Sequence, residues 1–288
     1  MRVANVRGRL SLLTDEGAVD VAAASAGRFG PDPQSVWSDW GRFVDWAAAL
    51  GPQPAAAYAP ENLRPPVPRP GQIFAIGLNY WDNAEEAELD LPDHPVTFTK
   101  FPSCITGPWT TLALPSDRVD WEVELVVVVG REAHRIDAAR AWSVVAGVTV
   151  GQDLSERDVQ HRPPAPQFCL GKSFPGFGPI GPAVVTIDEL PDPDDLELGC
   201  RINGEELQRG RTSSMIFTVP ELVGRLSEIV TLRPGDLIFT GTPAGVGAVR
   251  TPPRYLRPGD VLESYVTGVG EMRHPLVGNG RNGRNGRR

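Results

Sequence analysis

Two glutamates one residue apart, in Val119-Asp-Trp-Glu122-Val-Glu124, open onto the apolar run Leu125-Val-Val-Val-Val129. Side chains alternate faces along a β-strand, so Glu122 and Glu124 point the same way, and a run that is apolar on both faces marks a buried strand. Two like charges this close in low dielectric do not both stay ionised without help: one is protonated, or a basic side chain or a metal ion compensates them. A plainer alternative, two acids on a wet strand end, fits the Glu-x-Glu spacing as well. A third acid, Asp153, closes the strand-like run that starts at Ala146 and is followed by the charged Leu154-Ser-Glu-Arg-Asp-Val-Gln160. Strand-end acids that lead into a charged loop often line sites. Glu85, three residues after Asp82, fits a capping box and reads as structural.

The elements that must hold these acids are legible in outline. Residues 2–22 read as short strands broken at Thr14-Asp-Glu-Gly17, and Val36, Trp40, Phe43, Val44 and Ala47 recur at helical spacing until Gly51 stops the pattern. A proline-rich stretch ending in Arg64-Pro-Pro-Val-Pro-Arg-Pro70 reads as a stiff connector. It divides the chain into a small N-terminal α/β domain (1–58), a linker (59–71) and a main domain (72–277). Within the main domain, strands are expected at 72–77 and 95–100 and around the acids. Amphipathic helices are expected at 137–145 and 219–230, a hairpin at 196–207 around Asn203-Gly204, and a strand from 235 that enters a glycine-rich turn. The tail 278–288 repeats Asn-Gly-Arg and is expected to be disordered.

Composition narrows the function. The 288 residues are 41% hydrophobic and 22% charged, ordinary for a globular chain that buries a substantial core. With 28 basic and 36 acidic residues, the net charge of −8 argues against a nucleic-acid or anionic-membrane surface and points to a small-molecule ligand. Cys104, Cys169 and Cys200 lie far apart with no CxxC pattern, so neither a thiolate zinc site nor a disulfide framework is indicated. With no apolar run of membrane-spanning length and no signal-peptide h-region, a cytoplasmic location is expected.

Five ordered motifs together resemble the fumarylacetoacetate hydrolase family over roughly residues 70–277: Gly77-Leu-Asn-Tyr80, Val119-Asp-Trp-Glu-Val-Glu-Leu125, Gln152-Asp-Leu-Ser-Glu-Arg-Asp-Val-Gln160, Gly171-Lys-Ser-Phe174 with Gly176-Phe177, and Gly241-Thr-Pro-Ala-Gly-Val-Gly247. The resemblance implies an α+β, mostly β fold: mixed sheets rolled around a metal site, with short peripheral helices and a small N-terminal domain, commonly as a homodimer. It implies that Glu122, Glu124 and Asp153 bind a divalent cation. An all-oxygen carboxylate set suits Mg²⁺, with Mn²⁺ or Ca²⁺ as alternatives, and poorly suits Zn²⁺. By the same resemblance Arg157 and Gln160 contact substrate oxygens, Tyr80 lies at the substrate, Lys172 polarises or protonates it, and Thr242 binds its carboxylate.

Such a metal chelates a 2-oxo acid or 1,3-dicarbonyl and stabilises the enolate that forms when a neighbouring C–C or C–H bond breaks. The leading expectation is C–C hydrolysis of an acylpyruvate-like substrate. Hydrolytic members carry a His-x-x-Glu dyad three residues after the tyrosine. Here Glu86 is present but Asn83 stands in the histidine's place, and an amide accepts no proton near neutral pH. Glu86 alone, if burial raises its pKa, or His94 from the end of the segment would have to serve. Pro175 also stands where many members have Asp. Enol–keto tautomerisation or decarboxylation, which need no activated water, are therefore alternatives, as is a non-catalytic, metal-stabilised binding protein.

Overall fold

The computed structural model describes residues 1–86 and 90–278. Its centre is the strand Val123–Val129, in which every residue is buried. It runs antiparallel to Val145–Gln152 on one side and to Leu237–Phe239 on the other. Ile73–Gly77 pairs parallel to Leu237–Phe239 and carries Val96–Thr99 at the sheet edge. In the other direction come Gly178–Val185 and then Arg2–Val6, Arg9–Thr14 and Gly17–Asp20. The sheet thus continues across the proline-rich stretch, whose own strand Leu63–Arg64 pairs with Arg2–Val6.

The two faces of the central strand serve different cores, as its side-chain alternation requires. Val123, Leu125, Val127 and Val129 pack toward a second mixed sheet, made of Glu205–Arg211, Glu197–Ile202, Val261–Val266, Gly270–Gly278 and Leu112–Leu114. Val126 and Val128 pack toward an N-terminal aromatic layer of Phe29, Trp37, Trp40 and Phe43. Glu122 and Glu124 share the parity of Val126 and Val128, so they belong to that face at the end of the strand. Among the described residues the sheets are mixed, the helices few and short, and no barrel closes.

Local expectations hold with some shifts. The helix Val219–Ile229 has the full capping box of Thr218 and Glu221. The expected hairpin is Glu197–Ile202 with Glu205–Arg211. The segment expected as a helix over 137–145 is the 3-10 helix Ala138–Val144, capped by Asp137. Asp82 does not cap: the helix Trp81–Glu86 begins one residue before it, and its carboxylate accepts from the Asn83 N–H at 2.8 Å. The tail beyond residue 278, expected to be disordered, lies outside the described residues. No helix among those described is long and apolar enough to cross a membrane.

Candidate active site

Where the central strand ends, Glu122, Glu124 and Asp153 bring one carboxylate oxygen each to within 4.8 Å of one another, all three side chains buried. The wet-strand-end alternative is thereby removed: Glu124 is 1% exposed and Asp153 0%. Strand pairing sets this geometry, because Val123 faces Gln152 and the Asp153 N–H donates to the Glu122 carbonyl at 2.9 Å.

Three cations are built into the cluster. Lys172 Nζ lies 2.7 Å from Glu122 Oε2 and 2.6 Å from Asp153 Oδ2. Lys100 Nζ, fully buried, lies 2.7 Å from Asp153 Oδ1 and also donates to the Lys172 carbonyl. Arg157 Nη2 reaches Glu122 Oε1 at 2.7 Å and Asp120 Oδ2 at 2.7 Å. Burial opposes the charge on Lys172, but Asp153 and Glu122 outweigh it and hold the ammonium above its ordinary pKa. Burial likewise opposes the Arg157 charge, and Glu122 and Asp120 reverse the balance. For Asp153, burial pushes up, and Lys100 and Lys172 pull the carboxyl below its ordinary value.

Glu124 is the exception. Its polar partner is the Gly241 N–H at 2.9 Å, and burial, then Asp153 and Glu122, push its carboxyl well above the ordinary range. With Asp120, four carboxylates face three cations, so the cluster is one positive charge short of neutrality and Glu124 carries the shortfall. A buried set of three hard oxygen donors with an uncompensated carboxylate fits a divalent cation such as Mg²⁺ or Mn²⁺.

The glycine-rich turn is shaped to close this floor. Gly241 has φ +97, and a Cβ there would stand 2.7 Å from the Asn79 Cβ, so only glycine lets the backbone approach and aim its N–H at Glu124. Asn79 fastens the turn from the other side, donating to the carbonyls of Phe217 at 3.0 Å and Thr240 at 2.7 Å. Asp120 accepts from the N–H groups of Gly247 at 2.7 Å and Ala248 at 2.9 Å while holding Arg157.

A cavity of about 280 Å³ opens above the cluster, lined on its polar side by Glu122, Arg157, Gln160, Lys172, Thr242 and Asn83. Apolar walls come from Ile76, Leu78, Val96, Phe98, Phe168 and Val246. A larger cavity of about 460 Å³ lies elsewhere, among Trp40, Trp142 and Asp188, and holds none of these residues.

The structure brings most of the expected site residues together, with differences in what they do. The Gln160 Oε1 accepts from Arg157 at 2.8 Å. The Thr242 hydroxyl donates to the Val123 carbonyl at 2.8 Å and accepts from Gln208 at 2.8 Å, so it is engaged by the framework. Glu86 is exposed and accepts from the Gly245 N–H at 2.7 Å, outside the cavity wall. Tyr80 is fully buried and absent from the cavity wall, its hydroxyl without a hydrogen-bond partner and its phenol pushed up by burial and by Glu124. His94 lies by Arg225, at 3.5 Å, rather than at the cavity. Sequence reading missed Lys100 and Asp120 in the cluster and the presence of His161 on the cavity wall. Asp120 had a signal, since it shares the even spacing of Glu122 and Glu124.

Residues 72–277 match the sequence model of the fumarylacetoacetate hydrolase C-terminal family. The mitochondrial oxaloacetate tautomerase FAHD2A of Homo sapiens is 44% identical over 214 residues, 74% of this chain and 68% of that one. A solved structure from Mycobacterium smegmatis, provisionally assigned as HpcE, is 57% identical, with a TM-score of 0.93 and coverage of 96% of this chain and 99% of that one. The maleylpyruvate hydrolase of Sphingobium sp. SYK-6, solved with manganese(II) and pyruvate, is 26% identical, with a TM-score of 0.77 and coverage of 97% and 100%. A tautomerase and a hydrolase are thus among the proteins this chain resembles, and the chain is an enzyme of the fumarylacetoacetate hydrolase family.

Proposed function

We propose that the protein is a divalent-metal-dependent enol–keto tautomerase of a 2-oxo acid of the oxaloacetate type. The observation that carries this reading is the state of the segment where a hydrolase would keep its water-activating base. Asn83 faces the cavity with an amide, and the Glu86 carboxylate is turned onto the Gly245 N–H. Hydrolysis needs an activated water, whereas moving a proton between oxygen and carbon does not. The 44% identity to a tautomerase supports the same choice.

Glu122, Glu124 and Asp153 would hold a Mg²⁺ or Mn²⁺ ion, which would supply a Lewis acid to the substrate oxygens. Arg157 and Gln160 present donors to the substrate carboxylate, with the guanidinium aimed by Asp120 and the Gln160 amide group left for the ligand by its Oε1 bond to Arg157. Lys172 adds a fixed ammonium at the cavity floor. A homodimer, the commoner assembly in this family, would cover the exposed Trp81, Phe101 and Leu170 on the segments around the cavity.

The test is an assay of purified protein with Mg²⁺ on enol-oxaloacetate and on acylpyruvates, each with and without EDTA. EDTA-sensitive loss of enol absorbance is expected. EDTA-sensitive cleavage of acylpyruvates without tautomerisation would overturn the reading. A second reading, hydrolysis or isomerisation of a substrate with a longer carbon tail, draws support from the apolar wall of Ile76, Leu78, Val96 and Val246. It requires turnover to rise as the tail lengthens.

A further inference from the structure

Tautomerisation needs a group that takes and returns a proton near neutral pH. The cavity walls supply few. Lys172 Nζ is already committed to Glu122 at 2.7 Å and Asp153 at 2.6 Å, and the Arg157 guanidinium, which has no basic atom, to Glu122 and Asp120. Glu122 has both oxygens in ion pairs. Asn83, Gln160 and Thr242 carry no basic atom. Among the described wall residues, the remaining titratable side chain is His161.

Its placement is built in. His161 follows the short helix Arg157–Gln160, and its N–H donates to the Arg157 carbonyl at 3.0 Å. The same helical turn therefore presents Arg157, Gln160 and His161 to one cavity. The residue is exposed at the cavity mouth, and its ring stands edge-on to Phe168, with centroids 6.0 Å apart and planes at 73°. Of the four histidines, His94 and His274 lie elsewhere, beside Arg225 and Thr110, and His134 is not at the cavity.

We propose that His161 is the proton-transfer residue of this site, a reading that rests on the tautomerase assignment above. The imidazole accepts the proton of the enol hydroxyl, breaking O–H and forming N–H. It then delivers that proton to the adjacent carbon, whose new C–H bond takes the electron pair of the C=C bond as C=O forms. The imidazole ends as it began, and no co-reactant is consumed.

Burial first, then Arg157 and Lys172, lower the pKa of His161, with Glu122 opposing them, while Arg118, Asp158 and Tyr255 line the adjoining groove. The imidazole is thus neutral and basic at pH 7, and kcat falls as pH drops through a value below 6.5. The test compares full-length wild type with His161→Gln under saturating Mg²⁺ on enol-oxaloacetate, from pH 5 to 8. We expect kcat to fall about a hundredfold or more, KM to change little, and the acid limb to vanish. Added imidazole should restore part of the rate to His161→Gly. By NMR, the wild-type ring signal absent from His161→Gln should titrate with the acid limb. A kcat within threefold of wild type with the limb intact overturns the role, as does a lost rate with an unchanged limb and no imidazole rescue, which marks a structural residue. A wild type that never tautomerises overturns the tautomerase assignment itself, and this role with it.

Discussion

The floor and the rim of the cavity are built on different terms. The floor is the end of a fully buried strand, where Glu122 and Asp153 are tied to Lys100, Lys172 and Arg157 by contacts of 2.6 to 2.7 Å and Glu124 is held by the Gly241 N–H at 2.9 Å. The rim is carried by the short helices Trp81–Glu86, Arg157–Gln160 and Phe168–Gly171, with exposed Trp81, Glu86 and Leu170. A floor fixed by sheet register admits little change, because shifting one residue would turn the acids to the opposite core. A rim on short elements can exchange side chains at small cost. One architecture can therefore keep its metal chemistry while the rim decides which bond breaks.

The floor is the place to look for the largest effect. Glu124→Gln keeps the volume but removes the carboxylate that has no cation of its own. Metal affinity measured by calorimetry should collapse, and turnover with it, by about a thousandfold if several kcal/mol of charge stabilisation are lost. Retained metal binding would break the comparison at its root. Lys100→Met should unfold about 3 kcal/mol more easily in chelator, because it leaves Asp153 undercompensated in the core, and saturating Mg²⁺ should recover much of that. Urea unfolding with and without EDTA checks it; an equal loss in both conditions would mean that Lys100 matters for packing alone.

Stability away from the site should respond to pH on its own account. His274 is fully buried in the second sheet, with Nδ1 2.9 Å from the Thr110 carbonyl, and burial lowers its pKa from 6.5 to about 4. The unfolded chain binds this proton more tightly than the folded one. Stability is therefore full above pH 6.5 and falls as pH drops toward 4, by about 3 kcal/mol at 1.36 kcal/mol per pKa unit. Urea midpoints for wild type and His274→Gln across that range should converge toward low pH. The smallest effect belongs to the rim: Glu86→Gln should keep kcat/KM within about threefold, as an exposed side chain should. A thousandfold drop would make Glu86 a base after all.

What the sequence disclosed follows the same division. The acids were legible as strand-end carboxylates because alternation is a local signal, but their grouping as one set came from the family resemblance, and it is the register of Val123 with Gln152 that brings them together. Lys100 was not, because its partner Asp153 lies 53 residues away and nothing in Pro95-Val-Thr-Phe-Thr-Lys100 announces a buried ammonium. Glu86 was legible as a residue but not in its use, since its partner Gly245 lies 159 residues on. Thr242 was found at the cavity, yet its hydroxyl serves the strand, a choice that only the fold makes. The proline-rich stretch read as a boundary because proline stiffness is local, whereas the pairing of Arg2–Val6 with Gly178–Val185 that spans it is not.

The lysines that clasp the acids have a consequence for the life of the enzyme when metal is scarce. Glu122 and Asp153 hold each other through an ammonium supplied by the chain itself, and Asp153 has a second one in Lys100. On the proposed metal-dependent reading, stripping the ion should switch the catalyst off while the scaffold stays assembled, so that starvation for the metal leaves a dormant pool that resumes work on resupply instead of a population lost to degradation.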